Sequence, residues 1–300
     1  MLNLAEMMVL ACENWQSKAD FNAVCRPHRE RPGAYHIVLN GKHFGFDGNS
    51  TPFNPLNASK LCRSKIDTIE LVSQADLKTG IHIPKTRAYF DPSFYEPGVR
   101  DEKLRMFRQN TDDICADVAG VFSFPVIVKP NSKSMSTNSS LVHTADELPA
   151  ALDRVFADAS SYDLDAVVQE RIDIQTEYRA VCFDGRSMMM IERDTSNAEP
   201  NEILNPVFWE GTRSVLVHDE ELAAASEEIA TFLKDKAGLR YTGFDLARDR
   251  DGQIWFIEAN SAPMIAVGEL LHEDEGLAAI RHLTDVMFVD MAHQAGIDLG

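Results

Sequence analysis

Basic residues are scarce in this chain of 300 residues: 29 lysines and arginines stand against 47 aspartates and glutamates, a formal charge of -18. That balance argues against sequence-independent binding to nucleic acid and against docking on anionic lipid, both of which need basic surface. No apolar run approaches the ~20 residues of a membrane span. Residues 1–15 lack a basic leader and contain Glu6 and Glu13, so they read as an amphipathic helix and not as a signal peptide. The five cysteines (Cys12, Cys25, Cys62, Cys115, Cys182) are scattered, without C-x-x-C spacing. This fits a reducing cytosol, and hence a cytoplasmic protein, better than a disulfide framework. Internal repeats and low-complexity segments are absent. So are G-x-x-x-x-G-K-[ST], G-x-G-x-x-G after a strand, G-x-S-x-G and H-E-x-x-H, and the nine histidines show no metal-ligand spacing. P-loop, Rossmann, serine hydrolase and zinc protease chemistries are therefore disfavoured.

What is present is a globular composition, 44% hydrophobic, with length for two or three domains of ~100–200 residues each. The most informative stretch is residues 241–263, YTGFDLARDRDGQIWFIEANSAP. Two apolar-rich runs flank Asp249-Arg250-Asp251-Gly252, a hairpin turn in which Asp-Gly supplies the positive φ. Pairing Arg248 with Gln253 sets Asp245 opposite Phe256, and strand alternation puts Asp245, Glu258 and Asn260 on one face. Carboxylates among Phe244, Leu246, Trp255, Phe256 and Ile257 are costly unless water, donors or a cation reach them, and oxygen-only ligands of this kind suit Mg²⁺ carrying nucleotide phosphates. An edge hairpin whose acids face solvent is the competing reading.

Elsewhere the chain alternates strands and helices. Asn40-Gly41 and Asp184-Gly185 mark two more hairpins, the second joining EYRAVCF to RSMMMIERD, where Met188, Met189 and Met190 read as core filling. Residues 64–79 read as a helix ending near Gly80, with Lys65 in its first turn, where a cation opposes the helix dipole. Leu104, Phe107, Ile114 and Val118 mark the buried side of a charged helix. Residues 124–128 form a buried strand closed by Lys129-Pro130, and a Ser/Asn-rich loop of small residues follows, suited to phosphate; an ordinary hairpin with a snorkelling lysine is the alternative. Thr144 and Glu147 make a capping box for a helix to Asp158, DAVVQERI reads as a strand, and residues 199–211 as an irregular, active-site-type loop. Residues 219–237 form an amphipathic helix stopped at Gly238, and residues 269–295 supply closing helices.

The order of these pieces resembles the ATP-grasp superfamily, carboxylate-amine ligase type. Lys65 opening a helix, FPVIVKPNSKSMSTNSS, VVQERI with Glu177 after it, and GFDLARDRDGQIWFIEANSAP carry the likeness over residues 64–263. Some features resemble D-alanine-D-alanine ligases and others the ribosomal protein S6 glutamate ligases. The resemblance implies an α+β fold, with two α+β lobes gripping ATP behind a short N-terminal domain. The corresponding boundaries are 1–62 for that domain, 63–170 for a central lobe and 171–300 for a C-terminal lobe with the metal site. It implies that Lys65 and Lys129 contact the nucleotide phosphates, that Gln169, Glu170, Arg171 and Ile172 line the adenine hinge, and that Glu177 takes the ribose hydroxyls. Asp245, Glu258 and Asn260 would hold Mg²⁺ (or Mn²⁺), and Arg179 and Arg193 would face the phosphate or acyl phosphate as catalytic groups. The implied partners are small-molecule carboxylate and amine substrates, an amino acid or peptide, with no nucleic acid and no membrane; a homodimer is compatible. Two departures stand out: Ser134 and Asn138 occupy loop positions where glycine is usual, and Gly243 lies where D-alanine-D-alanine ligases carry an oxyanion-binding arginine. A small-molecule kinase of the same fold and a nucleotide-binding protein without turnover remain alternatives.

Overall fold

A computed structural model describes residues 3–47, 51–90, 110–132, 138–157, 165–199, 209–265 and 268–299. Three antiparallel sheets organise it. The first, β1 (Ala23–Pro27), β2 (Tyr35–Leu39) and β3 (Lys42–Phe46), follows helix α1 (Leu4–Gln16). Asn3 and Glu6 cap that helix reciprocally, satisfying leading amides that have no partner within the helix. At the β2–β3 turn Asn40 and Gly41 both take positive φ, 46° and 83°, as the expected hairpin requires.

Two short helices, α2 (Leu56–Leu61) and α3 (Lys65–Val72), lead into β4 (Thr86–Phe90). Helix α3 is shorter than expected. Its backbone turns out of the helix at Ser73, and the carboxylate of Glu228 instead collects the amides of Lys78 and Thr79 and the Thr79 hydroxyl. Helix α4 (Thr111–Val121) buries Ile114 and Val118 as expected; Leu104 and Phe107 lie outside the described residues. Strands β5 (Val126–Pro130) and β6 (Ser140–Val142), helix α5 (Leu148–Phe156) and strand β7 (Asp165–Glu170) complete a four-stranded sheet in the order β4-β7-β5-β6. The expected Thr144 capping box is not formed. Residues Ala145–Glu147 make a 3-10 turn with no side-chain cap, because the Glu147 carboxylate reaches back to the His143 amide, 2.9 Å away.

The third sheet comprises β8 (Ile174–Phe183), β9 (Arg186–Asp194), β10 (Arg213–Leu216), β11 (Tyr241–Asp249) and β12 (Ile254–Asn260), ordered β10-β9-β8-β11-β12. Helix α6 (Glu220–Ala237), stopped by Gly238 at φ 74°, covers one face through Leu222, Ile229 and Leu233. Helix α7 (Asp274–Gln294) and α1 cover part of the other, where Val181, Phe183, Met189 and Ile191 share one core with Met8, Phe44, Leu283 and Phe288. Met189 and Met190 fill opposite faces of the sheet.

The hairpin of β11 and β12 differs in register from the expectation. Asp249 bonds Gln253, leaving a three-residue loop with Gly252 at φ 81°, and the Asp249 carboxylate holds the amides of Asp251 and Gln253 at 3.0 and 2.8 Å. Arg248 consequently pairs with Ile254, and Leu246 with Phe256. The register then shifts at Asp245, which lies opposite Glu258 and not Phe256. Without that bulge at Ile257, strand alternation would send Asp245 and Glu258 to opposite faces. The expected clustering of the acids therefore holds through a different pairing.

Candidate active site

The α7-side face of the five-stranded sheet is apolar at one end and charged at the other. Beyond Val181 and Ile191 the same alternation presents Glu177 and Arg179 from β8, Arg193 from β9, Asp245 from β11, and Glu258 and Asn260 from β12. The cross-strand pairs are Glu177 with Arg193, Asp245 with Arg179, and Asp245 with Glu258. The Arg179 guanidinium grips both oxygens of Asp245, Nη2 to Oδ2 at 3.0 Å and Nε to Oδ1. The Asn260 amide donates to Glu258 over 3.4 Å.

From the four-stranded sheet comes Lys129, on the β5 face opposite Val126 and Val128, which are buried against the helices. Lys129 is only 8% exposed, and its Nζ donates to Gln169 Oε1 at 2.9 Å. Gln169 in turn donates to Thr86 at 3.0 Å. Lys65 starts α3, and its Nζ lies 3.9 Å from Glu258 Oε2. The loss of helix-dipole energy at that position is offset by this carboxylate across the site.

Two residues that carried no sequence signal assemble these parts. Asn131 accepts the Ile66 amide at 3.1 Å, donates to Ser64 Oγ at 3.1 Å, and offers its carbonyl to the Lys65 amide at 3.2 Å, so the two lysine-bearing elements are joined. Asn54 accepts the amides of Arg240 and Tyr241, each at 2.9 Å, and donates to the carbonyls of Tyr241 and Ser261. It thereby ties the start of β11 to the segment following Asn260.

Burial and charge set the ionisation. Burial lowers Lys129 to about 8, against the pull of Glu258. Burial, aided by Asp245, raises Glu177 to about 7. Burial raises Asp245 to about 6, with Glu258 adding and Arg179 opposing. Glu258 is held low, because Lys65 and Lys129 outweigh its burial. Two adjacent carboxylates are thus pushed apart in ionisation, Asp245 toward its neutral form chiefly by burial and Glu258 toward its charged form by the lysines. Their donor set, two carboxylates and an amide oxygen, fits Mg²⁺ that keeps further oxygens from phosphate or water. Among the described residues no group of three or more His, Cys, Asp or Glu that could hold a metal ion is present.

Other sequence-derived candidates stand apart from this cluster. Glu170 accepts the Lys85 amide at 2.6 Å and Arg171 is exposed; with Ile172 they form the connection between β7 and β8. In the phosphate-type loop Asn138 takes φ 56°, a conformation in which Asn substitutes for glycine with little strain, while Ser134 lies outside the described residues. Gly243 is fully packed. A Cβ there would come within 2.5 Å of Pro263 Cβ and 3.0 Å of Arg179 Cδ. The volume that a side chain at 243 would need is filled from β8 by Arg179, which brings a guanidinium to the same neighbourhood.

This architecture, an α+β molecule whose acid-bearing hairpin faces two lysines, is the ATP-grasp fold. Residues 184–284 match a family model described as YheC/D like ATP-grasp. A D-alanine-D-alanine ligase of Lacticaseibacillus casei is 27% identical over 158 residues, 51% of this chain and 42% of that protein. One of Legionella pneumophila is 27% identical over 211 residues, 64% of this chain and 56% of that protein. The chain thus spans about half the length of the curated relatives it matches. The solved D-alanine-D-alanine ligase of Bacillus anthracis, complexed with ATP, superposes with a TM-score of 0.51 at 18% identity, covering 80% of this chain and 69% of that one. The chain therefore has the ATP-grasp fold, and over part of its length it is similar to ligases of the carboxylate-amine type. Among the described residues no helix is long and apolar enough to cross a membrane, and Cys12, Cys25, Cys62, Cys115 and Cys182 are free thiols.

Proposed function

We propose that this chain is an ADP-forming carboxylate-amine ligase acting on an amino acid or small peptide. A substrate carboxylate oxygen attacks the γ-phosphorus of ATP, the bond to the bridging oxygen breaks, and ADP leaves with that electron pair. The amine of the second substrate then adds to the acyl phosphate carbonyl and loses a proton, phosphate departs, and an amide remains. The observation that carries this reading is the convergence of Lys65, Lys129, Arg179 and Arg193 on one partly buried pair of acids.

Two anions approach each other only where fixed positive charge offsets their repulsion, so the chemistry is mainly positioning and electrostatics. Lys65 and Lys129 would take the phosphates; Lys129, buried and already paired with Gln169, is held without a search over rotamers. Gln169 to Ile172 would bound the adenine, and Glu177 would hydrogen-bond the ribose. Arg179, delivered beside Gly243, and Arg193 would meet the transferring phosphoryl group and the oxyanion of the tetrahedral intermediate. Asp245, Glu258 and Asn260 would hold Mg²⁺ or Mn²⁺, which supplies neutralisation of the phosphate charge when bound. Burial of the site limits hydrolysis of the acyl phosphate.

The test is incubation with Mg-ATP and pooled amino acids, with and without hydroxylamine, following ADP, free phosphate and acyl hydroxamate. A ligase gives all three when hydroxylamine is present. A kinase gives ADP and a stable phosphorylated product, and a binder without turnover gives no ADP. Glu258→Gln and Lys129→Ala should each abolish turnover in a folded protein; parental rates from either would discredit the site.

A further inference from the structure

Gln169 is 3% exposed, and both ends of its amide are engaged. Its cross-strand neighbours are Thr86 of β4 and Ile127 of β5, and its side chain reaches Lys129, two residues further along β5. Oε1 accepts from Lys129 Nζ at 2.9 Å, and Nε2 donates to Thr86 Oγ1 at 3.0 Å. The Thr86 hydroxyl donates in turn to the Pro84 carbonyl at 2.8 Å. Three side chains thus form one directed chain of hydrogen bonds that ends on the backbone.

A carboxamide has a donor end and an acceptor end, and a hydroxyl has one proton to give. A backbone carbonyl can only accept. With the Thr86 proton committed to Pro84, the hydroxyl oxygen offers Gln169 lone pairs and faces the NH2 end. The acceptor end is thereby turned to Lys129. The reverse orientation would set an N–H donor against an ammonium that is only 8% exposed and deprive it of that acceptor, a costly arrangement for a buried charge. The anchor of the chain is itself fixed. Lys85, between Pro84 and Thr86, donates its amide to Glu170 Oε1 at 2.6 Å and accepts the Glu170 amide at 2.9 Å.

We propose that Thr86, acting through Gln169, is a positioning residue that fixes the polarity of this amide so that the Lys129 ammonium is presented to the nucleotide phosphates. The inference rests on the ligase reading above, in which Lys129 meets those phosphates. Thr86 itself touches no substrate.

The experiment is calorimetric titration of the full chain with a non-hydrolysable ATP analogue in excess magnesium, with circular dichroism to check that each variant is folded. Valine suits a strand and approximates the shape of threonine without its hydroxyl. Thr86→Val should therefore weaken nucleotide binding at least about fivefold, as expected when a hydrogen bond to a charged group is lost. Thr86→Ser keeps the hydroxyl and should stay within about twofold of the parent. In Gln169→Glu both side-chain oxygens accept, so no polarity needs setting, and adding Thr86→Val there should change affinity by less than about twofold. A merely structural role for Thr86 would instead give the same loss in both backgrounds. That result, parental affinity in Thr86→Val, or a Thr86→Ser as weak as Thr86→Val would overturn the proposal and leave the ligase reading standing, provided that Lys129→Ala binds weakly. A Lys129→Ala variant that binds as tightly as the parent would overturn both.

Discussion

At the scale of the residue, Lys129 shows how the site trades stability for charge. Its lowering from the usual 10.5 to about 8 means that the folded state binds fewer protons than the unfolded state between those values. Its contribution to stability therefore rises with pH from about 8 to 10.5, and below 8 the buried charge costs roughly 3 kcal/mol before the Gln169 hydrogen bond offsets part of it. Lys129→Met should melt no lower than the parent at pH 7, and its advantage should vanish as pH approaches 10.5. Nucleotide affinity of the parent should fall as pH rises through 8, where the ammonium is lost. Thermal melts and nucleotide titrations across pH 7 to 10.5 check both; a variant less stable than the parent at pH 7 would show that the lysine is not strained by burial. Lys65 and Lys129 were legible in the sequence because each opens or ends an element at a recognisable break. Asn131 and Asn54 were not, since their roles depend on backbone groups tens to nearly two hundred residues away.

At the scale of the element, the hairpin of β11 and β12 carries the acids of the proposed site. Its existence was legible from alternation and the Asp-Gly turn; its register was not, because the Asp249 side chain shortens the loop and the bulge at Ile257 restores the face. Neither local event changes the periodicity of the sequence. Gly243→Ala should push Pro263 and Arg179 apart, destabilise by about 1–3 kcal/mol, and cut turnover more than it raises the KM for ATP, because the displaced group faces the reacting atoms and not the adenine. Steady-state kinetics beside a urea melt separate the two effects, and a parental kcat would show that Arg179 tolerates the shift. Asn54→Ala removes four bonds from a buried side chain and should cost about 2–4 kcal/mol. A loss under 1 kcal/mol by denaturant titration would mean that the segment after Asn260 is held some other way.

At the scale of the whole molecule, residues near the N-terminus and the C-terminal sheet share one hydrophobic core. The sequence marks the two ATP-grasp sheets by their motifs, whereas packing of α1 against α7 is long-range and leaves no pattern in either helix alone. We propose that the break between lobes falls at residues 171–173, where β7 gives way to β8 and the chain passes from one sheet to the other. The small acid-rich molecule so formed gathers positive groups from both sheets around a partly buried acid pair. The most direct measurement of that arrangement is a calorimetric titration with ATP, with and without magnesium, of the parent and of Glu258→Gln. The account predicts that magnesium strengthens binding to the parent at least tenfold and that Glu258→Gln loses most of this gain while still binding nucleotide weakly. Equal affinity with and without magnesium, or a Glu258→Gln variant that keeps the full magnesium effect, would contradict it.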